Sequence, residues 1–213
     1  MPLLFLVPAV NLAHEPHHTI LLQNIKVRVL RLALQPNEAT RLHRHDNYYA
    51  FVSLKPALLG NEVPGHAPKI TKLEARELHT SRGGFELVER NLSTEPMDVV
   101  VVELLNPAPR AFEFPMGGPQ YREVLYSDLF EVPGMRAFSV YLLPGNRIHK
   151  REQKSDRIVL ALTDLSFQVE SDGHPDVDLN LKAGEAKWLP GGGTETITNS
   201  GNSAGNLITF EFN

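Results

Sequence analysis

Cysteine is absent from all 213 residues. Disulfides, thiolate catalysis and cysteine-ligated zinc sites are therefore excluded, while the redox compartment stays open. Positive charge is in short supply: 21 Lys and Arg stand against 25 Asp and Glu, a net charge of −4. A general nucleic-acid binder needs a basic face to neutralise phosphates, so no nucleic-acid partner is expected. No apolar run approaches the roughly 20 residues that span a bilayer as a helix. Helical periodicity is also nearly missing, with only Tyr121–Asp128 spaced for a turn or two of helix. No P-loop, dinucleotide fingerprint or Ser-His-Asp arrangement is found.

What is present is ordinary globular composition, 42% hydrophobic and 22% charged, in a chain long enough for one large core or two small ones. The first dozen residues, MPLLFLVPAVNL, are apolar. Residues 1–13 resemble the core of a secretory signal, with small residues at Ala9 and Ala13, but no Lys or Arg precedes Lys26. Two readings stay open: a signal remnant, which implies a periplasmic or secreted protein, or a strand packed on the fold of a cytoplasmic one.

Sliding the chain along itself by 108 residues aligns Arg28 with Arg136, Pro36 with Pro144, and Leu54 with Leu162. The same shift aligns Gly65-His66 with Gly173-His174, Glu77 with Glu185, Gly83-Gly84 with Gly191-Gly192, Asn91 with Asn199, and Glu103 with Glu211. One ungapped offset over that span reads as an internal duplication. Within each copy Leu30, Leu32 and Leu34, and their mates Phe138, Val140 and Leu142, alternate with polar or small residues. A period of two is that of a half-buried strand. Further strands read at Tyr49–Leu54 and Val99–Leu104 with their mates, separated by Gly, Pro and Asn turns. Short strands at regular spacing predict an all-β sandwich or barrel. The expected division is an N-terminal extension over residues 1–18, a first domain over 19–105, a Pro-rich linker over 106–119 and a second domain over 120–213.

A His-x-His strand, followed by a Gly-rich turn and a strand that closes on Asn, resembles the cupin superfamily. In its first motif a glycine precedes His-x-His and a glutamate follows; Asn37 stands at the glycine position, and His43 and His45 at the histidines. The frame of its second motif is reproduced by Pro190-Gly191-Gly192 and Asn199. The resemblance covers nearly the whole chain and implies two tandem cupin barrels (double-stranded β-helices, or jelly rolls), a bicupin. It also implies a site for one divalent metal, Fe, Mn, Ni or Zn, in the first domain. Residues i and i+2 of a strand share a face, so His43 and His45 can both look inward. The motifs are degenerate, however. Tyr49 (or Tyr48) occupies the glutamate position and Leu87 that of the third histidine. Glu86, beside Leu87, points outward on a regular strand and inward only if a bulge at Gly83-Gly84 turns it. In the second copy the same positions carry Arg151, Gln153, Arg157 (or Asp156) and Glu195. His149, two residues before Arg151, is expected on the same side.

These residues support a bicupin that binds a small molecule or serves structurally, with a degenerate metal site of His43, His45, Tyr49 and Glu86. The alternative is a metal-dependent enzyme, a dioxygenase or isomerase, working from His43 and His45. The pocket of the second domain, His149, Arg151, Gln153, Arg157 and Glu195, is expected to hold a guanidinium–carboxylate pair or a small anionic ligand. His14, His17 and His18 read as a solvated tail, His66 and His174 as turn residues, His79 as a histidine more often outside the pocket than in reach of it, and Trp188 as core. Exposed edge strands and the apolar N-terminal segment leave a homodimer open.

Overall fold

The computed structural model describes residues 8–106 and 124–213. The chain forms two compact units, Met1–Leu105 and Asn106–Asn213. The first contains strands β1 (Val10–Asn11), β2 (His18–Gln23), β3 (Val27–Leu34), β4 (His43–His45) and β5 (Tyr49–Ser53). It continues with β6 (Ala57–Glu62), β7 (Lys69–Leu73), β8 (Leu78–Ser81), β9 (Phe85–Asn91) and β10 (Met97–Leu104). The second contains β11 (Val124–Val132), β12 (Met135–Leu142), β13 (Arg147–Gln153), β14 (Asp156–Ala161) and β15 (Leu165–Ser171). Its remaining strands are β16 (Val177–Leu181), β17 (Ala186–Leu189), β18 (Gly193–Asn199) and β19 (Gly205–Phe212). Among the described residues no helix is long and apolar enough to cross a membrane.

Each unit is a pair of sheets. In the first they run β2-β3-β10-β5-β8 and β1-β4-β9-β6-β7; in the second, β11-β12-β19-β14-β17 and β13-β18-β15-β16. Shifted by 108 residues the two orders coincide, except that β1 has no counterpart. β1 pairs in parallel with β4, bringing Val10 beside His43. Residues expected as an N-terminal extension thus supply an edge strand and a short 3-10 turn, Leu12–His14, whose Leu12 is buried in the first core. The helical turn expected at Tyr121–Asp128 is strand from Val124 onward, paired antiparallel with β12; its first three residues lie outside the described ones, as does the expected linker beyond Asn106.

The period-two alternation decides which side chains enter each barrel. Leu30, Leu32 and Leu34 of β3 join Leu59, Leu73, Val99 and Val101 in the first core. Phe138, Val140 and Leu142 of β12 join Val159, Phe167, Leu189 and Leu207 in the second. Burying one such side chain contributes roughly 1.5–3 kcal/mol, so a dozen of them supply most of the driving force for each unit. Trp188, expected in the core, is only half-buried and stacks on Phe212, with ring centroids 5.7 Å apart.

The duplication is also written in the backbone. Asn37 and Gly145, one repeat apart, both occupy the left-handed region, with φ of 64° and 76°. Asn is among the few residues that tolerate this conformation, which explains how it replaces the glycine of the first motif. Asn91 and Asn199 make the same lock in each unit. The Asn91 amide donates to the Leu34 carbonyl (3.1 Å) and the Glu95 carbonyl (2.8 Å), and its oxygen accepts from the Ser93 amide. The Asn199 amide donates to the Leu142 (2.8 Å) and Ser203 (2.9 Å) carbonyls, and its oxygen accepts from Gly201.

Both asparagines are buried, and truncating either strands two carbonyls. Asn91→Ala and Asn199→Ala are each expected to lower the stability of their own unit by about 1–3 kcal/mol. Urea unfolding checks this, with far-UV circular dichroism for Asn91→Ala and the fluorescence of Trp188, which reports on the second unit, for Asn199→Ala.

Candidate metal centre and its counterpart in the second barrel

In the first barrel three strands bring four ionisable side chains to one place. His43 and His45 on β4 are 0% and 1% exposed, while Arg44 between them faces solvent. β9 runs antiparallel beside β4 and pairs Leu87 with His43, Glu86 with Arg44, and Phe85 with His45. Cross-strand partners share a face, so Leu87 is interior and so, two residues on, is Glu89. β2 is registered on β3 with His18 opposite Leu32, an interior leucine, and this carries His18 inside at 5% exposure.

The polar atoms converge. His18 Nε2 lies 3.6 Å and His43 Nε2 3.4 Å from Glu89 Oε2. One ligand atom from each of His18, His43 and Glu89 falls within a mutual 4.8 Å. His45 Nε2 is 3.0 Å from His43 Nε2. His18 Nε2, Glu89 Oε2 and His45 Nδ1 are buried without a hydrogen bond. Buried polar atoms are rarely left so, and His18 Nε2 and Glu89 Oε2, both in the group that converges with His43, mark the place of an ion or water.

The opposite ring nitrogens are anchored. His43 Nδ1 lies 2.9 Å from the Arg41 carbonyl, which can only accept, so the proton sits on Nδ1 and the lone pair of neutral His43 is on Nε2. His18 Nδ1 donates to Glu15 Oε2 at 2.9 Å. Glu15 also accepts from the His17 ring and amide and from the Arg41 amide. Burial alone would raise the Glu15 carboxyl, but the bonds from His18, His17 and Arg41 outweigh it and hold the group at about 2 instead of 4.5. Burial opposes charge on His43 also, and there Glu89 prevails and raises it above 6.5. His45 goes the other way: desolvation, reinforced by His43 and His18, lowers it to about 4, so it is neutral at pH 7. Glu89 stays ionised, since the three histidines overcome the cost of its burial.

Several expected site residues fall elsewhere. Glu86 points away from the barrel, and its carboxylate lies 3.8 Å from the Arg44 guanidinium; the β4–β9 register runs without a bulge, so nothing turns it inward. Tyr49 is interior, but it offers a ring rather than an oxygen: its centroid is 4.2 Å from that of His45 and its hydroxyl bonds to Ser81. Burial, with Glu89 nearby, drives the phenol well above its ordinary 10, which disfavours the phenolate a metal requires. His79 stacks on Phe51 at 5.0 Å, outside the cluster. Of the three histidines taken for a solvated tail, only His14 is exposed. His18 read as part of a tail and Glu89 carried no motif signal, because the repeat pairs them with Tyr126 and Ile197 and comparing the copies conceals them. Counting by twos from Leu87 is the signal that would have found Glu89.

The second barrel has no imidazole at the matching positions: Arg151 stands for His43, Gln153 for His45 and Tyr126 for His18, and Arg157 stands for Tyr49. Arg157 and Glu195, 2% and 5% exposed, form a buried ion pair, Nη2 to Oε2, at 2.6 Å. Arg151 is the cross-strand partner of Glu195 yet bonds to Glu211 Oε1 (2.9 Å) and the Tyr126 hydroxyl (3.2 Å). Gln153 donates to the same Glu211 oxygen at 3.0 Å. His149, expected inside, is exposed: the register shifts between Ile148 and Arg151, Lys150 takes a φ of 44°, and Ile148 faces the core instead. Glu211 and Tyr126, which complete the cluster, were not singled out from the sequence. A pair common to both barrels closes the polar end, Arg28 with Glu103 (2.9 Å) and Arg136 with Glu211 (2.6 Å).

Each unit has paired jelly-roll sheets locked by a motif asparagine, with polar residues facing inward from β4 in the first and β13 in the second. No family profile and no curated protein matches the chain in sequence. Solved structures match it in fold. A cupin 2 conserved barrel domain protein from Leptotrichia buccalis superposes with a TM-score of 0.60 at 10% identity, over 92% of this chain and 88% of that one. The 11S globulin of Wrightia tinctoria, whose structure reveals an auxin binding site, gives 0.69 at 11% identity over 94% and 82%. Bacillus subtilis oxalate decarboxylase, with Mn(II) centres, gives 0.64 at 12% over 89% and 70%. The fold is that of a bicupin, shared by metal-dependent and storage proteins alike.

Because Glu15 is depressed from 4.5 to about 2, the stability it contributes is present in full above pH 4.5 and is lost as pH falls through about 2. Glu15→Gln is therefore expected to lower the melting temperature of the metal-free protein at neutral pH, with the deficit shrinking progressively below pH 4.5. Melting curves of both proteins between pH 7 and pH 3 test this.

Proposed function

We propose that the first barrel holds one divalent metal ion through His18, His43 and Glu89, with His45 in reach as a fourth donor, and that the protein is a metal-dependent enzyme acting on a small molecule. The observation that carries this reading is the convergence of His18 Nε2, His43 Nε2 and Glu89 Oε2, all buried, around one point. The donor set fits an ion. With bonds of about 2.1 Å, donor atoms around one metal stand about 3.0 Å apart in octahedral and 3.4 Å in tetrahedral arrangement. The separations of 3.4 and 3.6 Å lie close to that range.

The surroundings fit as well. Histidines that bind metals usually donate the other ring N–H to a carboxylate or carbonyl, as His18 does to Glu15 and His43 to the Arg41 carbonyl. Two histidines and one carboxylate with no soft donor favour Fe(II) or Mn(II) within the Fe, Mn, Ni and Zn group, and leave coordination positions open. When bound, such an ion supplies Lewis-acid or redox chemistry to a molecule in those positions. The chain's own residues set the frame. Glu15 fixes the His18 ring, Tyr49 packs against His45, and Leu32, opposite His18, belongs to the apolar core beside the site. Among the described residues the second barrel has no comparable group, and chemistry of this kind belongs to the first alone. The decarboxylase activity of a protein similar in fold is compatible with this site, and an oxygenase or isomerase reaction is the finer reading.

Protein reconstituted with Fe(II) or Mn(II) and desalted is expected to retain about one metal per chain by elemental analysis. His18→Ala and Glu89→Ala abolish retention, and Glu15→Gln weakens affinity about 10- to 100-fold. Retention unchanged in His18→Ala would rule out the site. In the Mn(II) form, enhanced relaxation of solvent water protons reports an open coordination position; its absence would mean a closed, structural ion and no enzyme.

A further inference from the structure

Rings line the first barrel from the candidate metal centre outward. The His45 centroid lies 4.2 Å from that of Tyr49 and 6.3 Å from that of Phe85. Tyr49 is 6.1 Å from Phe51, and Phe51 is 5.0 Å from His79, the last two rings inclined by only 16°. Strand register puts all five on the interior face. Tyr49 and Phe51 alternate with Ala50 on β5, and Phe51 packs against the first core. His79 is the cross-strand partner of Phe51 on β8, and Phe85 is that of His45 on β9; such partners share a face.

Burial along this ladder is graded. His45 and Tyr49 are 1% and 5% exposed. Phe51 and Phe85 are half-buried, and the His79 side chain is 24% exposed. A closed core hides its inward-facing phenylalanines, as the second barrel hides Phe138 and Phe167. Phe51 and Phe85 instead keep part of their surface in contact with water, on the face that carries the buried imidazoles. β8 is the last strand of its sheet, so the outer end of the ladder lies at the sheet margin.

The fold does not require these rings. At the positions of His45, Tyr49, Phe51, His79 and Phe85 the second barrel has Gln153, Arg157, Val159, Lys187 and Gly193. None of these is aromatic, yet apart from β1 the strand orders coincide. Val159 is 4% exposed, so an aliphatic side chain closes the place that Phe51 leaves half open. The ring ladder and the imidazole–carboxylate donor set thus occur together in one barrel and are missing together from the other.

We propose that Phe51, His79 and Phe85 form the substrate-binding surface of the first barrel, and that its substrate is a small planar aromatic molecule stacked on these rings beside the His45–Tyr49 pair. Offset and edge-on ring contacts favour an aromatic ligand over a saturated one of equal size. The ligand's role as substrate rests on the metal-dependent reading of this barrel. The binding surface itself is built from the chain's own rings and is tested without an ion.

The metal-free full-length chain is titrated with 4-fluorophenol and followed by fluorine NMR. Saturable binding is expected, with trans-4-fluorocyclohexanol, similar in size but not planar, about tenfold weaker or more. Phe51→Leu, Phe85→Leu and His79→Leu each weaken 4-fluorophenol binding about two- to tenfold, whereas Phe51→Tyr, which keeps the ring, retains it. Circular dichroism verifies the fold of each variant, and His79→Leu, on the edge strand, decides alone if a phenylalanine variant does not fold. Equal binding of the saturated alcohol, or undiminished binding in folded His79→Leu, overturns the proposal. The titration is repeated on desalted protein carrying Mn(II), with metal content measured in the same sample. Broadening of the bound fluorine resonance is expected; its absence at one Mn(II) per chain overturns the placement beside the metal centre. Protein that retains no Mn(II) contradicts the metal reading alone, and the metal-free titration still decides the ring surface.

Discussion

Ionised groups enclosed by a β-barrel lack the water that would solvate them, and each must meet opposite charge or a hydrogen-bond partner at short range. Both units of this protein are organised around that requirement. Their sheets differ little, and their apolar cores draw on equivalent strands. The polar end of each interior is where they part. The first sets two buried carboxylates, Glu89 and Glu15, against imidazoles that can be neutral or charged. The second sets permanently charged guanidiniums against Glu195 and Glu211. An imidazole without its proton presents a lone pair to a metal; a guanidinium has none to offer. The loss of the imidazoles therefore separates a barrel with a candidate metal centre from one whose polar end is held by ion pairs.

The rearrangement of the first barrel follows from strand geometry. The first motif usually supplies a glutamate and the second a histidine, and here those positions hold Tyr49 and Leu87. Glu89, two residues beyond Leu87, enters through the same strand face. His18 enters from β2, a strand whose partner residue is already interior. A barrel interior is reachable from any strand that crosses it at the right height, so the donors need not come from fixed positions in the chain. Glu15, which caps the 3-10 turn before β2, then orients His18 and is itself held by the Arg41 amide of the barrel.

The shared features carry the fold. Asn91 and Asn199, the Arg28–Glu103 and Arg136–Glu211 pairs, and the left-handed turns at Asn37 and Gly145 recur at one spacing because each answers a backbone or charge problem common to both barrels. None of them is part of the candidate metal centre. Function and fold are thus assigned to different residues of a common frame, and the second barrel could replace every imidazole without losing its sheets.

From the sequence by itself came the all-β class, the duplication, the strands flanking Leu30–Leu34 and Phe138–Leu142, and the inward direction of His43 and His45. Each rests on short-range periodicity or on a constant offset, both visible along one dimension. Aligning the copies pointed to a guanidinium–carboxylate pair among Arg151, Arg157 and Glu195, but not to which arginine meets Glu195; the fold decides for Arg157. Only the tertiary structure decided that His18 and Glu89 complete the cluster, that Glu86 and His149 face solvent, and that Tyr49 contributes a ring. Those outcomes depend on strand register: His18 against Leu32, Leu87 against His43, and the shift between Ile148 and Arg151. Register is set by contacts among residues far apart in the chain, and a slip of one position reverses every side chain on a strand.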